Sequence, residues 1–119
     1  MIESASRVKK AILCIEDEDH LRQDLIEELS AAGYAAFGAS DGREALAVLE
    51  SKKPDLILCD ISMPHLDGFT FLDTVRANRP DLADMPLVFL TALDQRQSVI
   101  AGKLAGADDY LVKPIDYDL

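Results

Sequence analysis

Leu56-Ile57-Leu58-Cys59-Asp60-Ile61-Ser62-Met63-Pro64 is the stretch on which the architecture turns. Its first four residues are apolar without alternation, the pattern of a short strand covered on both faces. The run ends on the carboxylate of Asp60, and Met63-Pro64 then directs the chain out of regular structure. A carboxylate at the tip of a buried parallel strand stands where open α/β sheets bind their ligands.

Upstream, Ala11-Ile12-Leu13-Cys14-Ile15 is a second uninterrupted apolar run, read as the first strand, and it ends on Glu16-Asp17-Glu18-Asp19. A helix follows with Asp19 as its N-cap. Leu21, Leu25, Ile26, Leu29 and Ala32 form its apolar stripe, and Gly33 stops it at C′. Tyr34 to Ala39 is a second strand, less apolar and therefore nearer a sheet edge. Asp41-Gly42-Arg43-Glu44 has the form of a capping box, Asp41 as acceptor and Glu44 as the reciprocal carboxylate. The helix it opens buries Ala45, Val48 and Leu49.

Downstream, Asp67-Gly68 starts a third helix with Phe71, Leu72 and Val75 at helical spacing. Residues 78–86 read as a polar, proline-flanked loop. Leu87-Val88-Phe89-Leu90 is a fourth strand ending on Thr91, and a fourth helix runs from about Asp94 to Leu104. Its interior Gly102 costs about 1 kcal/mol relative to alanine. Gly106 ends that helix, and Tyr110-Leu111-Val112 is a short fifth strand before Lys113-Pro114. Five strands alternating with helices predict an α/β fold, a doubly wound parallel sheet with right-handed crossovers.

The 119 residues, 49% of them hydrophobic, suit one compact domain with a real core. Twelve basic against 22 acidic residues give a formal net charge of -10, which argues against direct binding to nucleic acid or an anionic membrane surface. No apolar run approaches the roughly 18 residues of a membrane span. Residues 1–10 form a polar lead without the apolar stretch of a signal peptide, which leaves 11–119 as the domain and points to a cytoplasmic protein. Cys14 and Cys59, inside apolar runs and with no histidine pattern nearby, read as buried free thiols rather than a disulfide or zinc site.

In a parallel sheet all strand C-termini reach one rim. Glu16 and Asp17 arrive there from the first strand, Asp60 from the third, Thr91 from the fourth and Lys113 from the fifth. Each alone is an ordinary strand-end residue. Together, three carboxylates repel and raise one another's pKa values. Mg²⁺, which prefers carboxylate, water and phosphate oxygens, relieves that repulsion. About three negative charges are then matched by Mg²⁺ and Lys113, a balance suited to receiving a phosphoryl group. Asp60 is the candidate nucleophile, Lys113 offsets charge on the transferred oxygens, and Thr91 donates a hydrogen bond to one of them.

From Ala11 to Pro114 the chain resembles the receiver domain of two-component response regulators. Four motifs, in order and at the family's spacing, carry the resemblance: Ile12-Leu13-Cys14-Ile15-Glu16-Asp17, Leu58-Cys59-Asp60-Ile61-Ser62-Met63-Pro64-His65-Leu66-Asp67-Gly68, Leu90-Thr91-Ala92, and Gly106-Ala107-Asp108-Asp109-Tyr110-Leu111-Val112-Lys113-Pro114. It implies a flavodoxin-like sheet of order 2-1-3-4-5. It implies Asp60 as phosphoacceptor, supplied by a histidine kinase or histidine phosphotransfer protein. It implies Mg²⁺, or Mn²⁺, held by Asp17, Asp60 and the backbone carbonyl of Ser62, with Glu16 reached through water at a place more often occupied by aspartate. Thr91, Lys113 and the backbone of Ala92 hold the phosphoryl group, and Lys113 precedes a cis-proline at Pro114.

By the same resemblance Tyr110 is an aromatic switch residue that moves with Thr91. It remodels the face formed by the fourth helix, fifth strand and fifth helix, through which an output domain, a downstream protein or a second copy in a homodimer is addressed. Ser62 and Leu93 stand where phosphoryl lifetime is tuned, while His20 and His65 read as solvated. Only Asp116 to Leu119 remains for the fifth helix, so the domain is C-terminally truncated before most of it. Such a chain is a signalling domain that takes part in its own phosphotransfer rather than an enzyme. The alternatives are a phosphatase of the haloacid dehalogenase type, whose nucleophile belongs at the first strand in Asp-x-Asp; a phosphorylation-independent pseudo-receiver, which loses acid pair, aspartate or lysine; and a flavodoxin-like cofactor module, which needs a phosphate loop after the first strand.

Overall fold

Parallel strand pairing organises the computed structural model, which describes residues 9–61, 67–82, 84–91 and 108–112. The apolar runs become β1 (Ala11–Ile15), β2 (Ala35–Ala39), β3 (Leu56–Asp60), β4 (Leu87–Thr91) and β5 (Asp109–Val112). They lie in the order β2-β1-β3-β4-β5. Every neighbouring pair is parallel, with Ile12 opposite Leu56 and Ile15 opposite Cys59 across β1 and β3. The chain goes from β1 outward to β2 and returns to β3 on the other side, so the topological switch point lies between β1 and β3.

β1 and β3 lack alternation because both of their faces are covered. Leu13, Ile15, Ile57 and Cys59 point to one side, where Phe71, Leu72 and Val75 of helix α3 (Gly68–Asn78) and Ala45 of helix α2 (Gly42–Val48) bury them. Ile12, Cys14, Leu58 and Leu90 point to the other side and meet Leu25 of helix α1 (Asp19–Ala31). β2 is at the sheet edge, as its weaker hydrophobicity predicts, and Ala35 is exposed there.

Local signals set most helix ends. Gly33 adopts φ +100° at C′, Tyr34 N–H donates to the Leu29 carbonyl at 3.0 Å and Gly33 N–H to the Ser30 carbonyl at 3.1 Å. That is a Schellman stop, open to glycine because positive φ costs it nothing. The N-terminus of α1 differs from expectation. Glu18, not Asp19, is the N-cap, and its side chain makes no capping bond. The Glu18 N–H is instead accepted by the Glu16 carboxylate at 3.1 Å, and Asp19 is the first helical residue, paired with Arg22 at 2.6 Å. The capping box of α2 is also modified. Asp41 accepts from Glu44 N–H at 2.8 Å, but the Glu44 carboxylate reaches Ser40, bonding its N–H at 3.3 Å and its hydroxyl at 2.9 Å. Ser40 offers two donors to two oxygens, so it wins over Asp41 N–H.

Residues 78–86 are less polar in effect than in composition. A 3₁₀ turn, Pro80–Leu82, turns Leu82 into the core, and Met85 follows it. The carbonyls exposed by that turn are satisfied by Arg76, which donates to Leu82 and Met85 at 2.9 and 3.0 Å. Arg79 similarly donates to the Leu49 carbonyl at 2.9 Å, tying α3 to the end of α2. β5 begins one residue earlier than expected, because the Asp108 carboxylate accepts Leu87 N–H at 2.8 Å and anchors the strand's entry. The expected fourth helix, Asp94 to Leu104, the remnant of the fifth and most of the N-terminal lead lie outside the described residues. No helix among the described residues is long and apolar enough to cross a membrane.

Both cysteines are buried and free, on opposite faces of the sheet. Burial pushes the Cys14 thiol from 9.0 up to about 12. The unfolded chain therefore releases this proton first, so the associated stability is intact below about pH 9 and is lost as pH rises towards 12. Denaturant titrations from pH 8 to 11 should show a steeper decline for the wild type than for Cys14→Ala; parallel curves would refute the assignment.

Candidate metal and phosphoryl site

β1 delivers its acids by overrunning the ladder by one residue. Glu16 N–H still bonds the Ala39 carbonyl of β2 at 3.1 Å, after which the chain turns into α1. Glu16 is 1% exposed, an unusual place for a carboxylate, whereas Asp17 faces solvent. Asp60 is the last residue of β3, opposite Leu90 in the ladder and only 5% exposed. Glu16, Asp17 and Asp60 each offer an oxygen within 4.8 Å of the others. The switch point thus gathers the acidic tips that the sequence placed on one rim.

The electrostatic consequence shows at Asp17. Its carboxyl is held above its ordinary range, first by lost hydration, then by a hydrogen bond with the Glu16 side chain and by the Glu16 charge. A hydrogen bond with Asp60 acts in the opposite direction. Oxygen donors of this kind fit a hard divalent cation. The nearest soft candidate, Cys59, does not compete. It is fully buried, its Sγ donates to the Asp60 carbonyl at 3.3 Å, and burial with the surrounding acids pushes its pKa well up, so it stays a neutral thiol.

Gly68, which the sequence marks with Asp67 as a helix start, also shapes the site. Asp67 caps α3 by accepting Thr70 N–H at 2.8 Å, and Gly68 N–H donates to the Ile61 carbonyl at 2.8 Å. A Cβ on Gly68 would lie 2.8 Å from the Asp60 carbonyl oxygen, 2.8 Å from Phe89 Cε1 and 3.0 Å from Ile61 Cα. Two of those atoms are backbone, and Phe89 is itself held edge-on by Phe69 at 5.2 Å between ring centroids. The helix start therefore presses directly on the peptide that carries Asp60. Gly68→Ala is expected to cost about 1–3 kcal/mol by overpacking. Urea unfolding checks this; an alanine variant of unchanged stability would show that the peptide is not pinned.

The other expected site residues are placed in part. Thr91 ends β4, the strand next to β3, and pairs with Val112, while Tyr110 pairs with Phe89 from β5, one strand further out. Ser62, Ala92, Lys113 and Pro114 lie outside the described residues.

Comparison with known proteins agrees with this geometry. The family model for the response regulator receiver domain matches residues 12–119. Among curated relatives, the chain is 41% identical over 106 residues to the probable transcriptional regulator ycf27 of Porphyridium aerugineum, covering 89% of this chain and 42% of that protein. It is 44% identical over 103 residues to the response regulator MprA of Mycolicibacterium vanbaalenii, covering 87% and 43%. The chain therefore spans less than half the length of these curated relatives. Among solved structures, the chemotaxis response regulator CheY4 of Vibrio cholerae superposes with a TM-score of 0.86 at 33% identity, covering 93% of this chain and 92% of that one. The receiver domain of the Francisella response regulator 1452 gives a TM-score of 0.81 at 32% identity, covering 92% and 88%. The flavodoxin-like sheet, the acidic switch point and the match along nearly the whole chain make this a member of the response regulator receiver domain family, the phosphorylatable module of two-component systems.

Proposed function

We propose that Asp60 accepts a phosphoryl group from a histidine kinase or a histidine phosphotransfer protein, and that the acyl phosphate shifts the domain between two conformations. The supporting observation is the meeting of Glu16, Asp17 and Asp60 at the tips of β1 and β3. An Asp60 oxygen attacks phosphorus, the bond from phosphorus to the donor's imidazole nitrogen breaks, and the nitrogen keeps the electron pair. Asp17, Asp60 and the Ser62 carbonyl would hold Mg²⁺ or Mn²⁺, with Glu16 acting through water. Such an ion, when held there, would supply charge neutralisation for the transferred oxygens. Lys113, Thr91 and the Ala92 backbone are assigned to grip the same oxygens. Burial of Asp60 keeps bulk water from the reacting atoms and strengthens each of these contacts.

Incubation with Mg²⁺ and acetyl phosphate should add one phosphoryl group, located on the peptide containing Asp60 and prevented by a chelator. No adduct, or an adduct elsewhere, would overturn the reading. Conformational change is assigned to Thr91, at the end of β4 beside β3, and to Tyr110 on β5, the strand paired with β4. Tyr110→Ala should still accept the group but lose its phosphorylation-dependent change in partner affinity; full retention would remove Tyr110 from the scheme.

The relative named as a probable transcriptional regulator is more than twice as long as the matched segment. With a net charge of -10, this segment is assigned the input role in the cytoplasm, and nucleic-acid contact is assigned to an output domain or a downstream protein. Its output surface is assigned to the face that includes β5, where Leu111 is 43% exposed, and the same face would serve a homodimer. The domain takes part in its own phosphotransfer without being an enzyme for other substrates.

A further inference from the structure

The carbonyl of Glu16 belongs to the peptide that orients Asp17, yet it lies beyond the end of β1, where no strand ladder reaches it. Its acceptor is satisfied from α1. Arg22 Nη1 donates to the Glu16 carbonyl oxygen at 2.9 Å, while Nη2 is held by the Asp19 carboxylate at 2.6 Å. On the other side of the same residue, Glu16 N–H is bonded to the Ala39 carbonyl at 3.1 Å. The Glu16 side chain then closes the turn on Glu18 N–H. Glu16 is thus held at its N–H, its side chain and its carbonyl, and Arg22 holds the carbonyl of the peptide that carries Asp17.

Arg22 reaches this position because Gly38 of β2 leaves room for its stem. A Cβ on Gly38 would lie 3.1 Å from Arg22 Cδ, 3.2 Å from Arg22 Cγ and 2.9 Å from Ile26 Cδ1. All three atoms belong to side chains of α1, so an added methyl would push Ile26 and the arginine stem rather than the strand.

We infer that Arg22, seated on Gly38, is a positioning residue that sets divalent-cation affinity by fixing the Glu16–Asp17 peptide. This rests on the metal site proposed above, and it predicts a sign that charge alone does not. A guanidinium near a cation site repels the cation, so its removal would tighten binding if charge were its only influence. Loss of positioning weakens binding, as loss of an outer support for a metal ligand does.

The test is titration of the 119-residue protein with Mn²⁺, following free Mn²⁺ by electron paramagnetic resonance, beside metal-free thermal melts. Arg22→Gln should weaken Mn²⁺ binding roughly tenfold and Arg22→Lys by less, since one donor remains. Gly38→Ala, which leaves every charge in place, should weaken it about threefold, and adding it to Arg22→Gln should cost little more. Wild-type or tighter binding by Arg22→Gln would overturn the inference, as would additive effects in the double variant. Should Arg22→Gln not fold, Arg22→Lys and Gly38→Ala decide the matter, and unchanged binding by both overturns it. Asp17→Asn is the control for the underlying site: if it binds as the wild type does, or the wild type takes up no Mn²⁺, the metal site itself falls and this inference with it.

Discussion

Asp60→Asn is expected to abolish phosphoryl acceptance while leaving the protein folded. The amide has nearly the shape of the carboxylate it replaces, and its NH₂ can donate a hydrogen bond to Asp17, the neighbour that Asp60 already contacts. What disappears is the nucleophile, because an amide oxygen does not form an acyl phosphate. One of three crowded negative charges disappears as well. The melting temperature without metal should therefore hold or rise, since like charges no longer repel as strongly. Mass spectrometry after treatment with acetyl phosphate, read beside a thermal melt, separates the two effects. A phosphoryl group still added to a folded Asp60→Asn protein would move the acceptor elsewhere; an unfolded variant would show that the carboxylate is structural.

Phe71→Ala should produce the largest loss of stability among single substitutions of the core. Phe71 has no exposed surface and stands on the inner face of α3 with Leu72 and Val75, against the side of β3 that carries Ile57 and Cys59. Removing a fully buried ring loses its transfer free energy and leaves a cavity, together about 3–5 kcal/mol. A domain of this size has only about 5–15 kcal/mol to lose. The melting temperature should fall by roughly 10–20 °C. Phe71→Leu, which refills most of the volume, should cost about 1.5 kcal/mol or less. Equal melting temperatures for wild type and Phe71→Ala would mean that α3 does not pack on β3 as described. The functional consequence would follow the same path, because α3 also presses on the Asp60 peptide through Gly68.

Much of this was legible in the residues. The apolar runs of β1, β3 and β4 name themselves, since strands covered on both faces need no alternation. Gly33 and Asp67 announced a helix end and a helix start through local chemistry that operates within a few residues. The three acids were readable as a group once the sheet was known to be parallel, because parallel strands send their C-termini to one rim. Their joint meaning came from the motif order that the receiver family shares.

What the sequence by itself determined was therefore whatever depends on neighbours along the chain: element type, the doubly wound parallel class, and acids at strand tips. The tertiary structure decided what depends on neighbours across it. Leu82 and Met85 look like members of a polar loop until α3 and its Arg76 cover their carbonyls. Gly68 is an ordinary helix start until Phe89 and the Asp60 carbonyl close on it, and Arg22 is a surface arginine until Gly38 admits it to the Glu16 carbonyl. Periodicity and capping are short-range effects, whereas close approach between distant segments is fixed only when the whole sheet and its helices pack to full density.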